Sequence, residues 1–358
     1  MSDYIEIDFL GVETSKSGDA ITVRYEVNGV TSIHVVDGGF IETGDQIITH
    51  LSSHYGTTKI DHVVLTHSDQ DHANGLRAVL EKCEVGRLWM NRPWVYAAEL
   101  LPKFPTYTSA AALERKLRTE YSGPLALEEI ALERGIPISD AFTGTHIGQF
   151  TVLTPSRERY LQLVTESEKT PQTVAQEGFL KAAMDSIARA AAAVASLVRA
   201  AWGVEVFPAS GTSSENEMSV VQYASINGKR VLLTGDTGRD GLKEAADYLE
   251  GRGVPLPGIW CFQVPHHGGR HNVNSEVLDR WLGPVLDELP ETTTWNAVCS
   301  SAKADTHHPK MSVKRAFMHR GAHWTETEGK SVCVSFGISR AGWSGIPQAT
   351  YPTEQEPE

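Results

Sequence analysis

The sequence is poor in cysteine and lacks any long apolar run. Its four cysteines are scattered and form no C-x-x-C pair, which argues against a disulfide framework or a cysteine-based zinc knot. It contains no run of about 18 apolar residues, the length that a membrane-spanning helix needs. The opening residues, MSDYIEIDFLG, are acidic where a signal peptide is basic. We therefore expect a cytoplasmic protein that makes no contact with a membrane.

Positive charge is also scarce. The chain has 32 Lys and Arg against 45 Asp and Glu, a formal net charge of −13. Such a balance argues against a dedicated nucleic-acid-binding protein. Residues 303–340 are a local exception, with seven basic residues against three acidic ones. A phosphate-bearing partner such as DNA could bind at this basic strip.

The order of predicted elements indicates an α/β protein. Alternating runs on both sides of Asn28-Gly29 predict a β-hairpin. Strands, a helix, an insertion, more strands and more helices follow in two rough halves, which predicts two sheets packed face to face with helices outside, an αββα sandwich. We expect a single domain over residues 1–343, with a largely helical insertion over about 90–215 that includes an Ala-rich helix at 179–202. The Pro-, Thr- and Glu-rich tail, 344–358, is expected to be disordered.

The segment HSDQDH, residues 67–72, places four candidate metal ligands directly after a predicted strand over 61–66. The side chains of His67, Asp69, Asp71 and His72 can converge because the chain leaves the sheet at this point. Imidazole suits zinc, manganese or iron, whereas carboxylates favour harder cations. A solvated acidic loop would have no reason to interleave histidine and aspartate behind Val-Val-Leu, so we predict a metal site.

Further histidines and aspartates stand at the ends of other apolar runs. They are Asp37, Asp236, the pair His266-His267 and the pair His307-His308. Alone, an aspartate in such a place could be a turn or capping residue, and a histidine pair could lie on the surface. Together they indicate one site, because an α/β scaffold places its active site at the ends of its strands.

The motif His67-x-Asp69-x-Asp71-His72 resembles the H-x-H-x-D-H signature of the metallo-β-lactamase superfamily, with aspartate in place of the second histidine. This variant, continuing as His-Ala-Asn-Gly, is similar to the hydrolase domain of the DNA-uptake protein ComEC and its standalone relatives. Further matches follow in the same order within residues 4–338, at 150–155, 216–221, 231–236, 264–268 and 308–309. The membrane-spanning part of ComEC has no counterpart in this sequence.

The resemblance implies two divalent metal ions, zinc or manganese, held by two groups of ligands. The first group is His67, Asp69 and His266, although His267 could replace His266. The second group is Asp71, His72 and His308. Asp236 would bridge both ions and Asp37 would support the ligands from behind. Asn216 lies near where many members place another histidine, and His307 is a further uncertain ligand.

Two such ions can clamp a phosphodiester and activate water at neutral pH. Asp71 would orient that water, and His267 would stabilise the charged transition state or protonate the leaving oxygen. The first expectation is therefore a phosphodiesterase or nuclease acting on DNA. One alternative is a hydrolase of a small phosphodiester, cyclic nucleotide or lactone. Another is a non-catalytic metal-binding subunit that works with other proteins of a multi-gene system, but the intact ligand set argues against it.

A DNA substrate requires basic side chains beside the metals. Pro309 is expected to start a helix over 310–320. Lys310 and Lys314, four residues apart, would then project from one helical face near the mouth of the site, with Arg315 as a further candidate.

Overall fold

Two seven-stranded sheets form the centre of the computed structural model, which describes residues 3–170 and 197–357. The first sheet contains, in spatial order, β15 (Val332–Phe336), β1 (Tyr4–Phe9), β2 (Ala20–Val27), β3 (Val30–Gly38), β4 (Lys59–Val64), β5 (Glu84–Trp89) and β6 (Ile138–Ser139). The second contains β14 (Ala322–Glu326), β13 (Trp295–Cys299), β12 (Cys261–Gln263), β11 (Lys229–Leu233), β10 (Val221–Ile226), β8 (Phe150–Thr154) and β7 (His146–Ile147). A separate antiparallel pair joins β9 (Val198–Arg199) to β16 (Glu354–Gln355).

Helices cover the outer faces of both sheets. Against the first sheet lie α1 (Thr43–His50) with its π-helical continuation (Leu51–Tyr55), α3 (Leu76–Lys82) and α6 (Ser122–Glu133). Against the second lie α9 (Arg239–Glu250), α10 (Ser275–Leu282) and α11 (Met311–His319). The remaining α-helices are α2 (Gln70–Ala73), α4 (Ala97–Leu100), α5 (Ala110–Glu120), α7 (Arg157–Glu166) and α8 (Ser214–Glu217). Short 3₁₀ turns occur at Pro93–Tyr96, Leu101–Lys103 and Pro265–Gly268.

The hydrophobic core has three layers because alternate residues of each strand point to opposite faces. Ile7 of β1 and Leu233 of β11 belong to the layer between the two sheets. Val63 of β4 faces the helices outside the first sheet. Phe262 of β12 packs with Trp281 of α10 outside the second sheet. These layers confirm the predicted αββα sandwich.

Parallel strands in each sheet bring their carboxyl ends to one edge. The run β3-β4-β5-β6 is parallel in the first sheet, and β11-β12-β13-β14 is parallel in the second. Asp37 lies near the end of β3, and the loops that follow β4, β11, β12 and β13 carry the other predicted ligand segments. Loops at the carboxyl ends of strands are where open α/β folds place ligand sites.

Residues 90–215 are not one insertion. Helices α4 to α7 lie within this range, but β6, β7 and β8 between them belong to the two central sheets. Phe150 and Val152 of β8 are fully buried in the layer between the sheets, which is why this part returns to the sandwich. The Ala-rich helix predicted over 179–202 falls mainly outside the described residues, and its described end forms the strand β9. Among the described residues, no helix is both long and apolar enough to cross a membrane.

The carboxyl-terminal segment packs against the second half of the chain, which differs from the disordered tail predicted from its composition. Gln355 is buried in the strand pair with β9. The Glu356 carboxylate accepts hydrogen bonds from the backbone N–H groups of Met311 and Ser312, both at 3.0 Å. A carboxylate in this position satisfies the free N–H groups at the start of α11 and complements the helix dipole. The tail thus caps the helix that follows His308.

We expect Glu356→Ala to lower the free energy of unfolding by about 1 kcal/mol, the usual effect of losing a helix cap. Glu354→Ala is the matched control, because that side chain is exposed on the short strand that precedes Glu356. Urea titration of both variants measures the difference. Equal unfolding free energies for the two variants would show that Glu356 caps nothing in solution.

Candidate metal centre

Asp37 organises the carboxyl ends of β3 and β4. Its backbone is left-handed, with φ of 57°, which turns the carboxylate toward the start of the HSDQDH segment. The carboxylate accepts hydrogen bonds from the backbone N–H of Thr66 (2.8 Å) and from its hydroxyl (2.7 Å). It also accepts one from Nδ1 of His72 at 2.8 Å. A single buried side chain therefore sets both ends of the motif.

A close backbone approach brings α2 against the end of β3. A Cβ atom on Gly75, just after α2, would lie 1.9 Å from the carbonyl oxygen of Gly38, so only glycine fits there. This contact holds the first turn of α2 beside Asp37. His72 is then fully buried, while the Asp69 and Asp71 side chains before it remain partly exposed toward the opening.

The second sheet delivers Asp236 and the histidine pair. Asp236 follows β11 through Gly235, and its backbone N–H donates to the hydroxyl of Ser219 at 3.1 Å. His266 and His267 have φ of 49° and 52°, in the left-handed region that non-glycine residues rarely adopt. Each such residue costs about 1–3 kcal/mol. The strained turn directs both imidazole rings toward Asp236.

In the four histidines around Asp236, Nδ1 lies within hydrogen-bonding distance of an oxygen atom. The partners are Thr66 Oγ1 for His67 (3.1 Å), Asp37 Oδ2 for His72 (2.8 Å), Asn272 Oδ1 for His266 (3.0 Å) and the Ser300 carbonyl for His267 (3.0 Å). If Nδ1 carries the hydrogen in each case, Nε2 is left with its lone pair. Metal-binding histidines are oriented in this way, with the second nitrogen donating to an acceptor behind the ring.

The four Nε2 atoms surround the buried Asp236 carboxylate. Their distances to its oxygens are 3.4 Å for His72, 3.7 Å for His266, 3.8 Å for His67 and 4.0 Å for His267. Nε2 of His67, His72 and His267 is buried without a hydrogen-bond partner among the described residues, as is Oδ1 of Asp236. Buried polar atoms are normally paired. These atoms therefore fit a metal centre, since a cation would satisfy them all.

The electrostatics of the cluster also favour a cation. Burial lowers the pKa of His267, but Asp236 and Asp71 raise it further, to about 9. Burial also lowers the pKa of His72, yet the surrounding carboxylates hold that pKa well above its ordinary value. Burial raises the pKa of Asp236, and the neighbouring imidazoles bring it well below the usual range. Positive charge among these carboxylates is strongly stabilised, and a divalent cation competes with protons for the same atoms.

The other carboxylates of the cluster lie beside different imidazoles of the two predicted ligand groups. In the first group, His67 Nε2 lies 3.8 Å from Asp69 Oδ2, and His266 faces Asp236. In the second group, Asp71 Oδ2 lies 3.8 Å from His72 Nε2. The same oxygen of Asp71 lies 3.4 Å from Nε2 of His267.

His308 lies at the mouth of the site. Its ring is centred 5.3 Å from that of His266, and its Nδ1 lies 3.3 Å from the Asp305 carboxylate. Asp305 is itself held by the backbone N–H and hydroxyl of Ser17. His307 is exposed. Among the described residues, its one hydrogen bond is from its backbone N–H to the Asp305 carboxylate. Asn216 contacts the back of the cluster, with its amide nitrogen 3.2 Å from Nδ1 of His266.

Asp19 is a member of the cluster that the sequence did not predict. One oxygen of Asp19 groups with ligand atoms of His72, Asp236 and His267, all within 4.8 Å of one another. Its Oδ2 accepts from the side-chain amide of Gln263 at 3.0 Å, and its Oδ1 is buried without a partner among the described residues. Burial raises the pKa of this carboxyl group. Asp19 directly precedes β2. No neighbouring candidate ligand in the sequence indicated that it belongs to a metal site.

The basic strip does not present the predicted surface. Lys310 lies just before α11, and its backbone N–H donates to the Gly268 carbonyl at 3.0 Å. Lys314 forms an ion pair with Glu326 at 2.9 Å. Arg315 is fully buried, where it donates to backbone carbonyls of residues 200, 201 and 352. The expectation that Arg315 projects near the site is therefore wrong, because the packed tail covers it.

Comparison with known proteins finds only solved structures of low sequence identity and low TM-score. No protein-family model and no curated protein matches the chain. The hydrolase AbOPH of the β-lactamase superfamily is 11% identical with a TM-score of 0.28, over 61% of this chain and 56% of that one. The metallo-β-lactamase SMB-1 is 10% identical with a TM-score of 0.32, over 88% and 92% of the two chains. CmlA, a diiron β-hydroxylase from Streptomyces venezuelae, is 13% identical with a TM-score of 0.34, over 80% and 38%.

We expect Asp236→Ala to abolish binding of both metal ions, because the carboxylate lies between the two groups of ligands. Calorimetric titration of metal-free protein with manganese or zinc measures the number of sites. Asp240→Ala, at an exposed position on α9, serves as the control and should bind as the unmodified protein does. One site of unchanged affinity in the Asp236 variant would rule out a shared carboxylate.

Proposed function

We propose that this chain is a metal-dependent hydrolase of phosphodiesters that uses two divalent ions, zinc or manganese. The proposal rests mainly on three buried imidazole nitrogens that surround the Asp236 carboxylate and have no hydrogen-bond partner in the described part of the chain. Two divalent ions in such a site lower the pKa of water and clamp a phosphodiester. The two groups, His67, Asp69 and His266 on one side and Asp71, His72 and His267 on the other, would hold the ions. Asp19 adds a carboxylate behind the second group.

Asp71 and His308 are the side chains that face an incoming substrate. The Asp71 side chain is 26% exposed, so its carboxylate can orient a water molecule at the open side of the cluster. The His308 side chain is 23% exposed, and Asp305 lies against its Nδ1. Burial lowers the pKa of His308, and the Asp305 carboxylate works against that shift by favouring the imidazolium form. In that form, Nε2 would donate a proton to a leaving oxygen. His267 is too deeply buried for this role, with a side-chain exposure of 3%.

A small phosphodiester is better supported than DNA as the substrate. The ComEC-like form of the HSDQDH motif and the basic strip favour DNA. However, Lys314, Arg320 and Arg340 of that strip are paired with acidic residues of the chain, and Arg315 is buried. Few of the seven basic side chains are left to contact a phosphate backbone. The net charge of −13 works in the same direction.

We expect hydrolysis of bis-p-nitrophenyl phosphate that is lost with a chelator and restored by manganese or zinc. Nicking of supercoiled DNA under the same conditions should be much slower. Absorbance of released nitrophenol and agarose gels give the two rates. Metal-loaded protein that hydrolyses neither compound would contradict the proposed function. Faster hydrolysis of DNA than of the small ester would favour a nuclease.

His308→Ala and His307→Ala form a matched pair within this experiment. Loss of a general acid lowers kcat by about 100-fold or more when the leaving group is poor. We therefore expect the His308 variant to lose activity on an alkyl phosphodiester and to keep most of it on the nitrophenyl ester. The His307 variant should behave as the unmodified protein on both. Both should retain their metal content, because neither side chain lies among the groups around Asp236.

A further inference from the structure

A lysine ammonium group lies against one of the candidate ligands. Nζ of Lys169 is 2.7 Å from Oδ1 of Asp69 and 2.9 Å from the hydroxyl of Ser68. The other oxygen of Asp69, Oδ2, faces Nε2 of His67 at 3.8 Å. The Asp69 carboxylate therefore lies between the metal cluster and a positive charge outside it.

The turn that carries Lys169 is held by buried groups. The Ser167 hydroxyl donates to the Glu215 carboxylate, and the backbone N–H of Lys169 lies 3.1 Å from that hydroxyl. The Thr170 hydroxyl donates to the carbonyl of Val164 at 2.7 Å, which ties the turn back to α7. Ser167, Thr170 and Glu215 are each less than 10% exposed. The position of Lys169 is thus set by packing and is not that of a free surface side chain.

The same short helix supports both this turn and the metal cluster. Glu215 of α8 accepts from Ser167, and the next residue, Asn216, contacts the ring of His266. Tyr121, buried between α5 and α6, completes the support with its hydroxyl 3.3 Å from that of Ser167. Its ring is centred 5.8 Å from Nζ of Lys169, a distance at which a cation is attracted to an aromatic face.

Lys169 has binding capacity left for a ligand. An ammonium group has three N–H donors, and among the described residues Asp69 and Ser68 account for two of them. The side chain is 31% exposed, beside an Asp69 side chain that is 36% exposed. The remaining donor therefore lies at the open side of the first ligand group. An anionic oxygen that approached the metals from this side would meet a fixed positive charge.

We propose that Lys169 binds a non-bridging oxygen of the phosphate group of the substrate at the Asp69 side of the site. This inference rests on the proposed function for the identity of the anion. The pair with Asp69 keeps the ammonium beside the cluster, and the phosphate then bridges the lysine and the metal-binding groups. Lys169 is a substrate-binding residue in this account, and the metals are held without it.

Calorimetry of inorganic phosphate binding to the metal-loaded protein tests this directly. We expect Lys169→Met to weaken phosphate binding about 10-fold to 100-fold, the range for losing a charge-assisted hydrogen bond. The variant should keep two metal ions per chain, measured by mass spectrometry. Lys169→Arg should recover part of the affinity. The control is Lys103→Met, whose side chain is exposed on a short helical turn.

The outcomes separate the inference from the proposed function. With bis-p-nitrophenyl phosphate, we expect Lys169→Met to raise KM more than it lowers kcat. Unchanged phosphate affinity in this variant would overturn the inference. Loss of a metal ion in the variant would overturn it as well, because Lys169 would then serve only to position Asp69. Phosphate binding that depends on Lys169 in a protein without hydrolytic activity would support the inference and contradict the proposed function.

Discussion

A buried carboxylate shared by histidines from both sheets is the feature on which the site depends. Asp236 is 2% exposed, and its oxygens lie within 4.0 Å of four imidazole nitrogens. Removing a carboxylate from water is expensive unless charge of opposite sign compensates it. The end of β4 supplies His67 and His72, and the end of β12 supplies His266 and His267. The side chains around Asp236 can therefore meet only where the sandwich brings the edges of its two sheets together.

Backbone strain marks the same place. Five described residues other than glycine have positive φ. Asn28 and Asn227 lie in the two Asn-Gly hairpin turns, where such angles are expected. The other three are Asp37, His266 and His267, each of which orients or belongs to the ligand set. Strained conformations persist where the surrounding structure over-determines them, which is typical of functional sites. These backbone conformations therefore lower the stability of the fold, and they orient the side chains toward the site.

Local patterns in the sequence predicted much of this arrangement, and long-range packing determined the rest. The HSDQDH segment was predictable because four donors fall within six residues after a strand. The two histidine pairs look alike in sequence, and a turn geometry that no local pattern encodes places His267 beside Asp236 and His308 beside Asp305. Asp19 has no neighbouring donor, and Lys169 reaches Asp69 across 100 residues. The tail was misjudged because its composition does not show that Glu356 caps α11.

Metal stoichiometry is the most direct test, because every other proposed role depends on two ions around Asp236. Elemental mass spectrometry on protein purified without a metal-affinity tag measures zinc, manganese and iron per chain. We predict close to two metal ions per chain, falling to none after dialysis against a strong chelator. A protein that contains no metal, and takes up none when zinc or manganese is supplied at neutral pH, would contradict the account.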